Sequence, residues 1–283
     1  MTRTIWMNGT FMPDDQATVS VFDRGLLFAD AVYEGLGVLD GRVVDFDYHM
    51  ARLNRSLDKL DMAAPMDGPG FAAMLTELIA RNDLDEGFIY LHITRGVQER
   101  DYLFPDGLTP NVFAFTQPQH GARASDPPAP LRLATTPDLR WARRDIKTSN
   151  LLGQVLAKRA ADAAGADEAL MVDPQGYITE CGAMSFFAII GGRLHARPLG
   201  RDLLPGVTRR TMLEVAAETG IPVVEDRITP EQAYGADEAF ATGASSYIQP
   251  VTSIDGRTIG KGSCGPVTAR LRAAYLDAVR ARM

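Results

Sequence analysis

Arg140-Trp141-Ala142-Arg143-Arg144-Asp145-Ile146-Lys147-Thr148-Ser149-Asn150-Leu151-Leu152 places a lysine in the short passage between a strand and a helix. Only four of the 29 basic residues are lysine: Lys59, Lys147, Lys158 and Lys261. Lysine alone carries a primary amine able to form a Schiff base, so in an arginine-rich chain each one is informative. Lys59 and Lys158 fall in amphipathic helical patterns, and Lys261 sits in the loop Gly260-Lys261-Gly262. Lys147 differs, because it follows a strand and precedes a helix that Ser149 or Asn150 could cap. Crowding by Arg143 and Arg144 would favour a neutral, nucleophilic amine there. Read alone, the segment better suits a charged surface turn.

Outward from this segment, the 283 residues are 46% hydrophobic and 23% charged, the composition of a globular protein with a substantial core. The formal net charge is -7 with no basic block, which argues against nucleic acid or an anionic membrane as partner. The longest apolar run, around Ala183 to Ile190, is far too short to span a bilayer. Cys181 and Cys264 lack ligand or disulfide spacing, which fits a reducing cytoplasm and gives no metal site. His49, His92, His120 and His195 are scattered, and no GxxxxGK[ST], HExxH or GxSxG motif is present.

Asn8-Gly9 and Asp40-Gly41 mark hairpins, the first after Thr4 to Met7, the second between Val32 to Leu39 and Arg42 to Asp45. A helix is expected near Leu26 to Ala31. Met50, Leu53, Leu57 and Leu60 predict another, as do Phe71, Met74, Leu75, Leu78 and Ile79. Strands follow at Phe88 to Thr94 and Val112 to Thr116. The segment Gln117 to Pro130 loses all apolar period, so the expected division is 1–118, a linker over 119–129, and 130–283. Beyond it, strands are expected at Leu131 to Thr135, Glu168 to Val172, Tyr177 to Thr179, Ser185 to Ile190, Arg193 to Ala196, Pro222 to Ile228 and Glu238 to Thr242. Helices are expected from Leu151 to Ala164, from Thr208 to Thr219 and from Pro266 onward. Short strands with interspersed helices predict an α+β or mixed-barrel fold.

The lysine segment closely resembles the lysine motif of class IV aminotransferases, the fold type IV pyridoxal-phosphate enzymes, and most closely their D-amino-acid aminotransferase branch. The likeness extends through Asp23-Arg24-Gly25, Asp30-x-Val32-Tyr33-Glu34, His49-x-x-Arg52-Leu53, Thr94-Arg95-Gly96, Ile178-Thr179-Glu180 and Pro205-Gly206-Val207-Thr208-Arg209. It implies a small N-terminal α/β domain and a larger, mixed β-barrel-like C-terminal domain that binds pyridoxal 5′-phosphate. By the same resemblance Lys147 would be the catalytic amine joined to the cofactor, Glu180 would bond the pyridine nitrogen, and Leu204 would pack on the ring. Arg52, the amides of Gly206, Val207 and Thr208, and Gly243-Ala244 would meet the phosphate. Some hydroxyls usual beside the phosphate are lacking in Cys181 to Phe186 and Thr242 to Ser245.

For the substrate, the family uses an arginine and a histidine on a loop reaching in from a partner subunit, plus a sheet tyrosine. Arg100 and Tyr33 match, while Tyr102 stands where histidine is usual and brings no positive charge. The resemblance thus implies a homodimer with active sites near the interface, moving an amino group between a D-amino acid and a 2-oxo acid. An L-branched-chain or (R)-amine transaminase, an aminodeoxychorismate lyase and a cofactor-free binding protein on the same scaffold are the alternatives.

Overall fold

The computed structural model describes residues 3–118, 124 and 129–283, so the linker expected over 119–129 lies, apart from residues 124 and 129, outside the described residues. The chain forms two compact units. One holds residues 3–118 with Ile146–Asn150 and Met283, the other holds residues 124, 129–145 and Leu151–Arg282.

The first unit runs β1 (Thr4–Met7), β2 (Thr10–Pro13), α1 (Arg24–Phe28), β3 (Ala31–Leu39), β4 (Arg42–Val43), α2 (Phe46–Asp58), α3 (Gly68–Arg81), β5 (Gly87–Thr94) and β6 (Asn111–Pro118). Its six strands pair antiparallel in the order β2-β1-β6-β5-β3-β4. Both expected hairpins form as two-residue turns, with Asn8, Gly9, Asp40 and Gly41 all at positive φ. Alternation then divides the sheet. Val32, Leu36 and Val38 of β3, Ile89, Leu91 and Ile93 of β5, and Val112 and Ala114 of β6 pack in one core with Leu53 and Leu57 of α2 and Leu75 and Leu78 of α3. Tyr33, Tyr90, His92, Phe113 and Phe115 occupy the alternate positions and stack on one another.

Two expectations shift here. The helix expected at Leu26 to Ala31 lies at Arg24–Phe28, because the Asp23 side chain accepts from Gly25 N and caps it, and left-handed Ala29 ends it before β3. The strand expected to reach Asp45 stops at Val43, since Asp45 is left-handed and opens α2.

The second unit comprises β7 (Leu131–Pro137), α4 (Leu152–Ala163), β8 (Glu168–Val172), β9 (Ile178–Cys181), β10 (Ser185–Ile190), β11 (Arg193–Ala196), α5 (Val207–Glu218), β12 (Val223–Glu225), α6 (Pro230–Tyr234), β13 (Glu238–Gly243), β14 (Tyr247–Ile254), β15 (Arg257–Thr258) and α7 (Pro266–Arg282). Its nine-stranded sheet is mixed, ordered β12-β11-β10-β13-β14-β7-β8-β9 with β15 on β14. The pairs β11/β12, β14/β7 and β7/β8 are parallel.

Sequence neighbours β9 and β10 lie at distant places in this order, and in a flat sheet would stand about 24 Å apart at about 4.8 Å per strand. The link from Cys181 to Ser185 reaches only about 14 Å when fully extended. Cys181 N even donates to Met184 O at 2.8 Å, closing the turn. The sheet therefore curls on itself, as the barrel-like expectation requires. The strand expected over Pro222 to Ile228 shrinks to three residues, all that pair with β11. Central strand β14 was not expected. The helix expected to be capped by Ser149 or Asn150 has its N-cap at Leu151, which makes no side-chain bond.

Glu238 fixes the last helix to the sheet. Its buried carboxylate accepts from Val267 N at 3.0 Å, Thr268 N at 2.8 Å and Thr268 Oγ1 at 2.7 Å, where α7 begins. Gly265 leaves the room, since a Cβ there would fall 2.0 Å from Glu238 Cδ. Glu238→Ala should lower the unfolding free energy by about 2 kcal/mol. An unchanged urea midpoint would reject that role. Among the described residues no helix is long and apolar enough to cross a membrane.

Candidate functional site

In the first unit, Lys147 is carried by a segment hydrogen-bonded along the start of β3. Tyr33 N donates to Lys147 O at 2.9 Å, Ser149 N donates to Ala31 O at 3.4 Å, and Val32 and Thr148 form an antiparallel bridge. From the other side Lys147 N donates to Ser56 Oγ at 3.3 Å. This backbone frame puts the half-buried Lys147 side chain beside the aromatic face of the sheet, with Nζ 4.1 Å from the Tyr33 ring centroid. A ring face attracts an ammonium through its quadrupole. Tyr33 in turn stacks on Tyr90, whose hydroxyl lies 2.9 Å from His92 Nδ1. Burial lowers the pKa of His92 to about 4, with Asp23 opposing it weakly, so the imidazole is neutral near pH 7.

Arg52 lies on the opposite, helix-covered side of the same sheet. Glu34, one residue after Tyr33, points there by strand alternation and is fully buried. Arg52 Nε donates to Glu34 Oε1 at 2.8 Å and Nη2 donates to Oε2 at 2.6 Å, a two-bond fork. His49, one helical turn before Arg52, has Nδ1 2.7 Å from Glu34 Oε2. Burial lowers the pKa of His49, against the pull of Glu34, so the neutral ring must carry its hydrogen on Nδ1 to meet an acceptor-only carboxylate. Burial alone would raise the Glu34 pKa, but the charge and hydrogen bonds of Arg52 and the His49 bond outweigh it and hold the carboxyl at about 2.

Arg100 and Tyr102 sit on the exposed loop after β5. The Arg100 guanidinium carbon is 5.5 Å from the ring centroids of both Phe28 and Tyr102, which themselves pack 5.4 Å apart. The neighbouring Asp101 accepts from Leu103 N at Oδ1, 3.0 Å away. No hydrogen bond among the described residues joins Arg100 or Tyr102 to Tyr33.

The second unit holds the remaining expected positions. Glu180 lies within β9, one residue further inside a strand than its neighbours suggested, and is buried. Arg140 Nη1 donates to Glu180 Oε1, while Asp138 grips the same guanidinium through Nε at 2.9 Å and Nη2 at 2.7 Å. Asp138 also accepts from Thr179 Oγ1 at 2.7 Å. Burial would raise the Asp138 pKa, yet its Arg140, Thr179 and Arg144 contacts lower it. The cations flanking the lysine segment are thus neutralised, Arg144 by Asp138 at 3.3 Å and Arg143 by Asp145 at 3.0 Å.

Gly206 is the N-cap of α5 and contributes no side-chain bond, so the amides of Val207 and Thr208 begin a helix whose positive end has no side-chain cap. A Cβ on Gly206 would come within 2.9 Å of Ser185 Oγ. Ser185 in turn faces Thr242 across the β10/β13 register, and Thr242 Oγ1 is buried without a hydrogen-bond partner. Gly243 and Ala244 form the turn from β13 into β14, closed by Ser246 N donating to Gly243 O at 3.2 Å. Leu204 is half-buried just before the helix. A helix N-terminus, an unsatisfied hydroxyl and a side-chain-free approach at Gly206 together suit a phosphate ester. The donor set of this unit therefore fits the phosphate of pyridoxal phosphate.

Structure thus joins Lys147 to Tyr33 in one unit and gathers Gly206, Val207, Thr208, Gly243 and Ala244 in the other. Glu34, His49, Arg140, Asp138, Ser185 and Thr242 were missed as site residues. Their signal was present, since Glu34, His49 and Arg140 all stand inside the quoted motifs. No cluster of three or more His, Cys, Asp or Glu among the described residues could hold a metal ion.

Residues 31–254 match the family model described as amino-transferase class IV. The chain is 32% identical to a D-alanine aminotransferase of Bacillus licheniformis, over 97% of this chain and 96% of the relative. It is 34% identical to a D-alanine aminotransferase of Listeria monocytogenes, over 97% and 96%. Among solved structures it is similar to a T.th. branched-chain amino acid aminotransferase with pyridoxamine 5′-phosphate, with a TM-score of 0.91, 30% identity, and coverage of 100% of this chain and 96% of the other.

Proposed function

Because the chain belongs to the class IV aminotransferases, we propose that it moves an amino group reversibly between a D-amino acid and a 2-oxo acid with pyridoxal 5′-phosphate as cofactor. When bound, this cofactor supplies an aldehyde that accepts the amino group and a ring that stores the electrons of the broken Cα–H bond. The observation that carries the reading is the placement of Lys147, whose amine stands over Tyr33 on a backbone frame built into β3.

Each proposed role follows from the side chain's chemistry. Lys147 Nζ would be the amine that holds the aldehyde and, when free, would be placed to move the proton at substrate Cα. Glu180, its carboxylate held by Arg140, which Asp138 grips in turn, would accept a hydrogen bond from the pyridine nitrogen. The amides of Val207 and Thr208 would bind the phosphate alongside Thr242 and the Gly243-Ala244 turn, with Arg52 a further donor only as the family resemblance implies. Leu204 would cover one ring face. Tyr33 donates to the substrate carboxylate, and the guanidinium of Arg100 neutralises it, with Tyr102 beside them.

A homodimer is part of the proposal. Val21, Phe22, Leu26, Tyr102 and Leu103 are exposed apolar side chains, and Gln98 N donating to Phe22 O at 3.2 Å ties their two segments side by side. Such a patch suits a second copy, whose loop would bring Arg100 to the neighbouring site. The free Cys181 and Cys264 suit a reducing compartment such as the cytoplasm.

The aromatic face of Tyr33, Tyr90 and Phe115 favours a second reading, transamination of apolar L-amino acids or (R)-amines. A panel of D- and L-amino acids with (R)-1-phenylethylamine, each with pyruvate and 2-oxoglutarate, separates them. D-Alanine turning over about 100-fold faster than L-leucine is the expected result, as placement of the amino acid about one reacting face should give about 3 kcal/mol of discrimination. The reverse order would support the second reading. Arg100→Leu should raise KM for D-alanine about 10- to 100-fold, the loss of a charged hydrogen bond. An unchanged KM would remove Arg100 from the site.

A further inference from the structure

The loop that carries Arg100 and Tyr102 is exposed at every side chain from Glu99 to Asp106, yet its backbone is tied down by Gln98 Nε2, which donates to Leu103 O at 3.1 Å, and by an arginine that is only 4% exposed. Arg24 Nη1 donates to Asp101 O at 2.7 Å and Nη2 donates to Tyr102 O at 3.3 Å. Its Nε donates to Asp30 Oδ2 at 2.8 Å. The guanidinium carbon also stands 4.9 Å from the ring centroids of both Phe28 and Phe104. Phe104, at the far end of the same loop, is met by a second guanidinium, that of Arg95 at 3.9 Å. Arg95 Nε donates to the same oxygen of Asp30 at 2.7 Å, and its other nitrogens reach Leu60 O at 2.6 Å and Asp61 O at 3.2 Å.

Asp30 thus aligns two arginines, and the two arginines hold Phe104 between them. Arg24 alone reaches the backbone on both sides of the Asp101–Tyr102 peptide bond. A planar fork can bond two successive carbonyls and a carboxylate at once, whereas an ammonium on a flexible stem cannot keep all three directions. We propose that Arg24 is the positioning residue for substrate specificity, fixing the loop backbone so that Arg100 and Tyr102 are presented in one arrangement before any substrate arrives. The inference rests on the reading of this loop as the carboxylate-binding element. Pre-ordering removes the entropy cost of arranging the loop at each binding event, so its loss weakens substrate binding rather than the chemical step. Folding should survive the change, because Asp30 keeps its bond from Arg95 when Arg24 is replaced.

Arg24→Lys, Phe104→Leu and Arg100→Leu, prepared as the cofactor-loaded protein, test this. Arg24→Lys should raise KM for D-alanine about tenfold with kcat within about twofold of the parent. Deuterium exchange in the peptide spanning residues 98–105 should quicken about tenfold, while the cofactor dissociation constant stays unchanged. Phe104→Leu, a change at a half-exposed ring, should shift KM and exchange in the same direction by a smaller factor, and decides the matter if Arg24→Lys does not fold. An unaltered KM for Arg24→Lys, or for Phe104→Leu in its place, with Arg100→Leu raising KM, overturns the role of Arg24 alone. No effect from Arg100→Leu overturns both this inference and the reading of the loop.

Discussion

Lys147→Ala should slow the single turnover of D-alanine by about 10,000-fold, the scale of a lost proton-transfer group, since on the proposed reading the side chain removed would be both the amine that holds the cofactor and the group that moves the proton. The other lysines offer no substitute. Lys158 is committed to Glu168 at 2.7 Å, and Lys261 is exposed in its glycine loop. The protein itself should remain folded, because its known loss is one contact with the face of Tyr33, worth about 1 kcal/mol. Lys147→Arg keeps the positive charge over the ring but cannot condense with an aldehyde, and should be as inactive as alanine. Stopped-flow absorbance of the half-reaction distinguishes the cases. A rate within 100-fold of the parent in either variant would show that another group does the chemistry.

Glu34→Ala should lower the unfolding free energy by about 3–5 kcal/mol near pH 7, the cost of stranding a buried charge. Arg52 would keep its guanidinium inside the sheet–helix layer without the carboxylate that takes two of its hydrogen bonds, and His49 would lose the acceptor for Nδ1. The sign with pH follows from the depressed pKa. Glu34 sits at about 2 in the folded protein against its ordinary 4.5, so its stabilisation is complete above pH 4.5 and is lost as pH falls toward 2. The gap between parent and variant in urea unfolding should therefore narrow by roughly 3 kcal/mol between pH 6 and pH 2. A gap below 1 kcal/mol at pH 7, or one that does not narrow in acid, would mean that Arg52 finds other partners. Misplacing Arg52 should also weaken cofactor binding.

What was legible in the sequence is what short-range chemistry dictates. Asn8-Gly9 and Asp40-Gly41 declare two-residue turns because such residues accept consecutive positive φ angles, and both form. Helices α2 and α3 follow the apolar period of Leu53, Leu57, Leu75 and Leu78. Strand β14 escaped notice because Pro250 stands in its middle, where a proline usually argues against a central strand. It is tolerated next to the irregular register between Val251 and Ser253, where the ladder to β7 is already interrupted. The curl that returns β9 to β10 depends on the pairing order of distant strands, which no local pattern encodes.

The same division holds at the site. Lys147 stood out through residue type, and Glu180 and the Gly206-Val207-Thr208 turn through the family resemblance. Their supports did not, because each support meets its partner only through tertiary packing. Glu34 reaches Arg52 because strand alternation turns it toward α2, and Arg140 reaches Glu180 across 40 residues of chain. Arg24 grips carbonyls 77 and 78 residues away, bonds invisible to any reading of side-chain chemistry.

Borohydride reduction of the cofactor-loaded protein, followed by digestion and mass spectrometry, tests the central assignment most directly. One pyridoxyl phosphate group per chain, on the peptide containing Lys147 and absent from Lys147→Ala, is the expected result. A label on Lys59, Lys158 or Lys261, or none on a protein that still transfers amino groups, would contradict it.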